Sequence, residues 1–338
     1  MTSNVFRGLV LVAGLLSTLS VQPAQAETVL SYSPWNPATY GANDAIFPWF
    51  ERVSEVTEGR VRIEPRAAAV GTPRDQADAV STGLVDMSLI VAGYTPGRYP
   101  MLDMFSLPLL SEDAAALSEA AAEIYERHFA HHDMFENAVP LTVFVGIPAQ
   151  LAAMRKPLLS ADEIAGRKLY ISNRPTSALL SSLKAAPVSA TVAEVFSMAS
   201  GGIIDGAVFG FESTRTFGLS DYLRHFTLIE GGLGQASWAL LVNRDAWEKI
   251  DPADRDAIME ISGTVLARQI GEALMQGENE AREGLVAAGA TAETASAELM
   301  ATLRKENEQV YQDWRDAAAK AGIEDPAAIL DELVALLK

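Results

Sequence analysis

The sequence predicts an α/β protein of two lobes, and three observations carry that prediction. Strand-like and helix-like patterns alternate through roughly the first hundred residues, the signature of a layered α/β fold. The stretch STGLVDMSL (Ser81 to Leu89) is echoed by SGGIIDGAV (Ser200 to Val208), each a helix end, a glycine, two aliphatics, an aspartate and a strand. Aligning Asp86 with Asp205 sets the copies roughly 120 residues apart, far too long a period for a solenoid repeat. Finally, Ser160 to Glu212 reads as a helix start, a strand, two helices and a strand that ends in a Gly- and aromatic-rich loop. Two similar units in one chain predict two lobes facing a cleft, where small-molecule sites tend to lie.

The elements follow in order. Arg7, the apolar run Gly8 to Ser20 and Ala24-Gln25-Ala26 form an export leader, cleaved after Ala26. Thr28 to Tyr32 is a first strand, Asn43 to Thr57 a helix ended by Gly59, and Val61 to Pro65 a second strand. Thr72-Pro73-Arg74-Asp75 opens a helix that ends at Gly83, and Leu84 to Val91 is the next strand. Ser111 opens an Ala-rich helix to about Phe135, and Leu141 to Gly146 is an apolar strand. Ser160-x-x-Glu163 and Thr191-x-x-Glu194 are capping boxes. Ser237 to Val242 is a buried strand, after which Asp251-Pro252 caps a very long helix interrupted by Gly263, Gly271, Gly277 and Gly284. Asp325-Pro326 starts a last helix.

Composition narrows the function. With 338 residues, 49% hydrophobic and 21% charged, the chain is globular and long enough for two real cores. A net charge of −18 argues against a nucleic-acid partner. The absence of cysteine excludes disulfides, thiol nucleophiles and cysteine metal sites. His128 and His132 stand at helical i, i+4 spacing, which zinc accepts, but no zincin glutamate accompanies them; a helix end favoured by histidine is the better reading. No Gly-x-Ser-x-Gly elbow appears, and Gly231-Gly232-Leu233-Gly234 lacks dinucleotide-loop spacing. No catalytic residue, cofactor or metal is expected.

Several motifs in the right order carry a resemblance over essentially the whole mature chain. They are Glu58 to Glu64, Thr82 to Met87, Asp103 to Leu110, Ala193 to Gly206, and Val242 to Trp247 followed by Asp251-Pro252. With these, the sequence resembles the extracytoplasmic solute receptors of TRAP (tripartite ATP-independent periplasmic) transporters, dicarboxylate-receptor type. The resemblance implies a two-lobed periplasmic binding protein, each lobe a sheet flanked by helices, with crossing strands as hinge and a long bridging helix. It implies a monomer without catalytic activity that hands a small organic solute to a permease of one small and one large membrane subunit. The lobes are expected at 27–138 with about 212–244, and at 139–211 with about 245–338.

The resemblance also exposes a departure. The family's usual carboxylate clamp is an arginine in a Gly-x-Lys-Ile-Arg strand, where a guanidinium pairs a carboxylate through two bonds. Here the run is Gly166-Arg167-Lys168-Leu169-Tyr170, so Tyr170 takes that place. A second family arginine lies a little upstream of Arg155-Lys156-Pro157, where this chain has Ala149 and Gln150, and Phe209 follows Asp205-Gly206 in place of a polar residue. The expected ligand-binding set is Trp35, Tyr94, Gln150, Tyr170, Phe209, Phe211, Glu212 and Trp238. Ring faces suit a cationic head group, offset by Glu212 or Asp44, so the expected solute is cationic, amine-bearing or neutral. An organic acid held by a relocated Arg174, Arg155 or Arg215 is the alternative, and a secreted hydrolase or lyase a further one.

Overall fold

A computed structural model describes residues 27–338, so the expected leader lies outside the described residues. The first half of the chain contributes strands β1 (Thr28–Ser33), β2 (Val61–Pro65), β3 (Met87–Val91), β4 (Ala138–Val145), β5 (Gln150–Ala153) and β6 (Lys168–Ile171). The second half adds β7 (Ala186–Ser189), β8 (Gly206–Phe209), β9 (His225–Leu228), β10 (Ser237–Asn243) and β11 (Thr291–Thr294). They build two sheets, one in the order β2-β1-β3-β10-β4 and one in the order β11-β9-β5-β8-β6-β7. Every residue of β3 and β10 is buried, whereas the edge strand β2 alternates buried with exposed. Strands covered on both faces need no polar alternation, which is why MSLIV and SWALLVN read as nearly continuous apolar runs.

Sheet membership corrects the expected division of the chain. β4 was expected in the second lobe, yet it runs antiparallel beside β10 and completes the first sheet. β9 was expected in the first lobe, yet it pairs with β5 and β11 in the second sheet. The turn pattern of a sequence marks where strands begin, not which sheet they complete.

Helices α1 (Asn43–Val56), α2 (Gln76–Ser81), α3 (Ala114–Ile124), α4 (Ala161–Ile164), α5 (Arg174–Ser182) and α6 (Val192–Ser200) interleave with the strands. They are followed by α7 (Phe211–Thr216), α8 (Arg244–Glu248), α9 (Pro252–Glu260), α10 (Gly263–Ala287), α11 (Ala297–Lys320) and α12 (Pro326–Leu336). The Thr191–Glu194 capping box forms, with a Glu194 oxygen accepting from the Thr191 N–H at 2.8 Å. The Ser160 box forms in half: its hydroxyl accepts from the Glu163 N–H at 3.3 Å, but the Glu163 carboxylate accepts from the Leu159 N–H at 2.9 Å rather than from Ser160. Three starts differ from expectation. Asp113, not Ser111, caps α3 by accepting from Ala115 and Ala116, because it alone reaches both free N–H groups. Asp75 draws in the Thr72 N–H and hydroxyl, which holds 72–75 as a turn and delays α2 to Gln76. The very long helix is two helices that break at Ile261–Ser262, where Gly263 adopts φ +51°.

The chain crosses between the sheets three times: after β4, before β10, and along α10. The first two crossings are an antiparallel ribbon. Gly146 donates to Ala236 at 2.8 Å, Ala149 to Gly234 at 3.1 Å, and Leu233 to Ala149 at 2.8 Å. The third, α10, is 25 residues long and so spans about 37 Å. It packs on α3 and α1 of the first lobe and on α7 of the second. Gly271 permits that contact, since a Cβ there would meet the Ala114 carbonyl and Ala115 Cα at 2.5 Å.

The repeated motif has repeated geometry. The Asp86 carboxylate accepts from the Ser31 N–H at 2.8 Å and ties β1 to β3; Asp205 accepts from the Lys168 N–H at 2.9 Å and ties β6 to β8. Each aspartate thus fixes the start of the strand that leads toward the cleft.

Candidate functional site

The ribbon that joins the lobes also floors a cavity of about 60 Å³. Gly146, Ile147 and Ala149 of the first crossing and Ala236 of the second line it. Trp238, the second residue of β10, and Tyr40 close it from the first lobe; Tyr170, Phe209 and Phe217 close it from the second. Tyr94, from a single 3₁₀ turn after β3, reaches across to the second lobe and accepts a hydrogen bond from the Val192 N–H at 3.1 Å. The walls are therefore aromatic and drawn from both lobes.

The rings hold one another in place. Trp35 stacks on Trp238 with centroids 5.5 Å apart and planes within 4°, and Phe144 and Tyr40 stack on the same indole at 5.8 and 5.6 Å. The faces of Trp238 are thus occupied, and its Nε1–H, buried beside Gly146, has no hydrogen-bond partner among the described residues. Tyr170 meets Phe209 edge to face at 5.7 Å. Burial pushes the Tyr40 and Tyr170 hydroxyls well above their usual range, and Tyr94 to about 12, so all three stay neutral donors.

The expected site residues separate into two groups. Tyr94, Tyr170, Phe209 and Trp238 line the cavity, and Trp35 backs it through Trp238. Gln150 instead turns away and accepts from the Ile229 N–H at 2.6 Å. Phe211 is core: it stacks on Phe226 at 3.9 Å with the Arg282 guanidinium 5.8 Å above it. Glu212 is fully buried and accepts from the Gly41 N–H at 3.2 Å and the Thr216 hydroxyl at 2.8 Å, which pins the first lobe to α7. Asp44 is exposed on α1 and does not line the cavity. Among the three candidate arginines, Arg155 and Arg215 are exposed and line neither this cavity nor the neighbouring one, whereas Arg174 does line the latter.

Sequence reasoning missed Tyr40, Phe217, Ser172 and Ser213, all of which line the cavity. Tyr40 lies in a loop and Phe217 just past α7, where no periodicity announces an inward side chain. It also missed Glu278 on α10, which accepts from the Phe211 and Glu212 N–H groups at 3.0 and 2.7 Å and so caps α7 from behind the cavity. In the histidine cluster, His128 Nε2 lies 2.8 Å from a Glu332 oxygen, and no group of three or more metal-holding side chains forms among the described residues.

A family model described as "Bacterial extracellular solute-binding protein, family 7" (DctP) matches residues 34–317. The chain belongs to this family. The two-lobed α/β architecture is that of TRAP periplasmic solute-binding proteins, which are binding receptors. A solute-binding protein of this type from Bordetella bronchiseptica, bound to (R)- and (S)-mandelate, superposes with a TM-score of 0.88 at 29% identity, covering 91% of this chain and 98% of its own. A marine metagenome relative described as specific for aromatic acid ligands, in complex with metahydroxyphenylacetate, gives 0.85 at 29% identity, covering 92% and 98%. The "Outer membrane transporter protein TsaT" of Comamonas testosteroni is 28% identical over 330 residues, 96% of each chain. The β6 strand of this chain carries Tyr170 as its third residue.

Proposed function

We propose that this TRAP receptor captures a small aromatic solute, an aromatic acid by preference, between its lobes and releases it unchanged to the permease. The observation that carries this reading is the hinge cavity walled by Tyr40, Tyr94, Tyr170, Phe209, Phe217 and Trp238. An aromatic ring gains both area and edge-to-face contacts against such walls. The two structures at 29% identity that hold mandelate and metahydroxyphenylacetate support the same solute class.

The cationic reading has less support. The faces of Trp238 are already stacked, so the edge it offers is an N–H donor that suits an oxygen acceptor. The expected counter-charge, Glu212, is used by Gly41 and Thr216, and burial pushes its carboxyl up toward the neutral form. The protein acts as a monomer, exported by cleavage near Ala26, with no turnover of the solute.

Calorimetric titration with 3-hydroxyphenylacetate tests the site. Phe209→Ala removes one wall without touching a hydrogen bond, and the expected loss is about tenfold or more in affinity. Equal affinity in wild type and variant would remove this cavity as the binding site.

A further inference from the structure

A second cavity of about 320 Å³ adjoins the aromatic one, and Tyr94 and Ser172 line both. Arg74, Gly93 and Pro96 wall the outer cavity from the first lobe; Asn173, Arg174 and Ser177 wall it from the second. The lining thus contains two guanidinium groups, from opposite lobes, and no carboxylate. Neither arginine takes part in an ion pair among the described residues, although the chain carries 44 acidic residues and most of its ion-paired cations are arginines. Two acids near Arg74 are engaged: Glu194 accepts from the Thr191 N–H and hydroxyl, both at 2.8 Å, and Asp75 accepts from the Thr72 N–H and hydroxyl at 2.8 and 2.6 Å. Asp103 shares a separate small cavity with Arg174, where burial pushes its carboxyl up to about 7 and the guanidinium opposes that.

Two like charges that face one cavity from opposite lobes repel as the cleft closes. An anion between them replaces that repulsion with two charge-assisted contacts. We infer that the outer cavity is an anion subsite formed by Arg74 and Arg174, and that the solute is an aromatic acid whose carboxylate stands off the ring on a short chain. This inference rests on the aromatic-cavity reading and deepens it. The ring sits against Phe209 and the N–H edge of Trp238, Tyr94 and Ser172 flank the spacer, and the carboxylate meets the guanidiniums. A carboxylate bonded directly to the ring stays beside Tyr94, short of both arginines. The clamp so formed spans the cleft.

The test is calorimetric titration of the full mature chain with benzoate, phenylacetate, 3-phenylpropanoate and the uncharged 3-phenylpropan-1-ol. Wild type, Arg74→Ala and Arg174→Ala are compared. Both arginines are exposed, so the variants are expected to melt at the wild-type temperature. The expected result is affinity that rises from benzoate to 3-phenylpropanoate in wild type. Each substitution should weaken the longer acid about tenfold or more while the alcohol changes less than about twofold. Aromatic acids that bind all three proteins equally would overturn the anion subsite and leave the aromatic receptor standing. Equal losses for acid and alcohol would also overturn it, since the arginines would then shape the cleft rather than pair a charge. Failure of all four compounds to bind would remove the aromatic reading and this inference with it.

Discussion

Glu278 illustrates what one buried carboxyl does here. It is 9% exposed, it caps α7 through two N–H groups, and burial pushes its carboxyl up to about 7. The folded protein therefore holds a proton that the unfolded chain releases above its ordinary value of 4.5. That stabilisation is complete below about 4.5 and is lost as pH rises toward 7, by roughly 3 kcal/mol in total. Asp103, also pushed up to about 7, acts in the same direction. Glu163, Glu194 and Glu332 are held low by hydrogen bonds and act oppositely, but only as pH falls below the ordinary carboxylate range. Glu278→Gln removes the titrating proton and leaves one of the two N–H groups without an acceptor. The variant is expected to melt well below wild type at pH 5 and to recover part of the deficit by pH 8. A deficit independent of pH would show that Glu278 does not titrate between pH 5 and 8. Residues of this kind were hardly legible: Tyr94, Tyr170, Phe209 and Trp238 stood out as aromatics in strands or turns, whereas Glu278 is one acid among many on a helix face. Gln150, Phe211 and Glu212 do not line the cavity, whereas their chain neighbours Ala149, Gly210 and Ser213 do.

At the scale of elements, close approach decides more than propensity. Gly271 lies inside α10, where alanine gains about 1 kcal/mol in helix propensity. Its Cβ would nevertheless press on the backbone of α3 at 2.5 Å, and overpacking costs about 1–3 kcal/mol. The clash wins, so Gly271→Ala should lower the melting temperature; a rise would mean that the two helices can part. Gly93 shows the same device between lobes. A Cβ there would run into the Ser172 carbonyl and crowd Asn173 Cα. Gly93→Ala should therefore weaken solute binding about tenfold or more and leave the melting temperature of the solute-free protein nearly unchanged, because each lobe folds without that contact. A large drop in melting temperature with normal affinity would contradict this. Capped helices were legible because Ser160, Thr191, Asp251 and Asp325 sit directly before their helices. The strands β7 (APVS) and β11 (TAET) were not, being four residues long and only half-buried or exposed. Nothing in such segments distinguishes a strand from a loop until a neighbour pairs with it.

Over the whole molecule, the two-lobed plan was readable because Asp86 and Asp205 perform the same task in both sheets. The assignment of β4 and β9 was not, since it depends on which sheet edge remains open after the other strands pair. The lobes meet through the hinge ribbon, α10, and contacts such as Glu212 to Gly41. The cavity at their junction is small, about 60 Å³, and we propose that the lobes part to admit a solute and close on it. Closure around aromatic walls is the central claim, and a thermal-shift screen over aromatic acids, aromatic amines, aliphatic dicarboxylates and sugars tests it most directly. Aromatic acids should raise the melting temperature well above every other class. Stabilisation by aliphatic dicarboxylates or sugars, with aromatic acids inert, would contradict it.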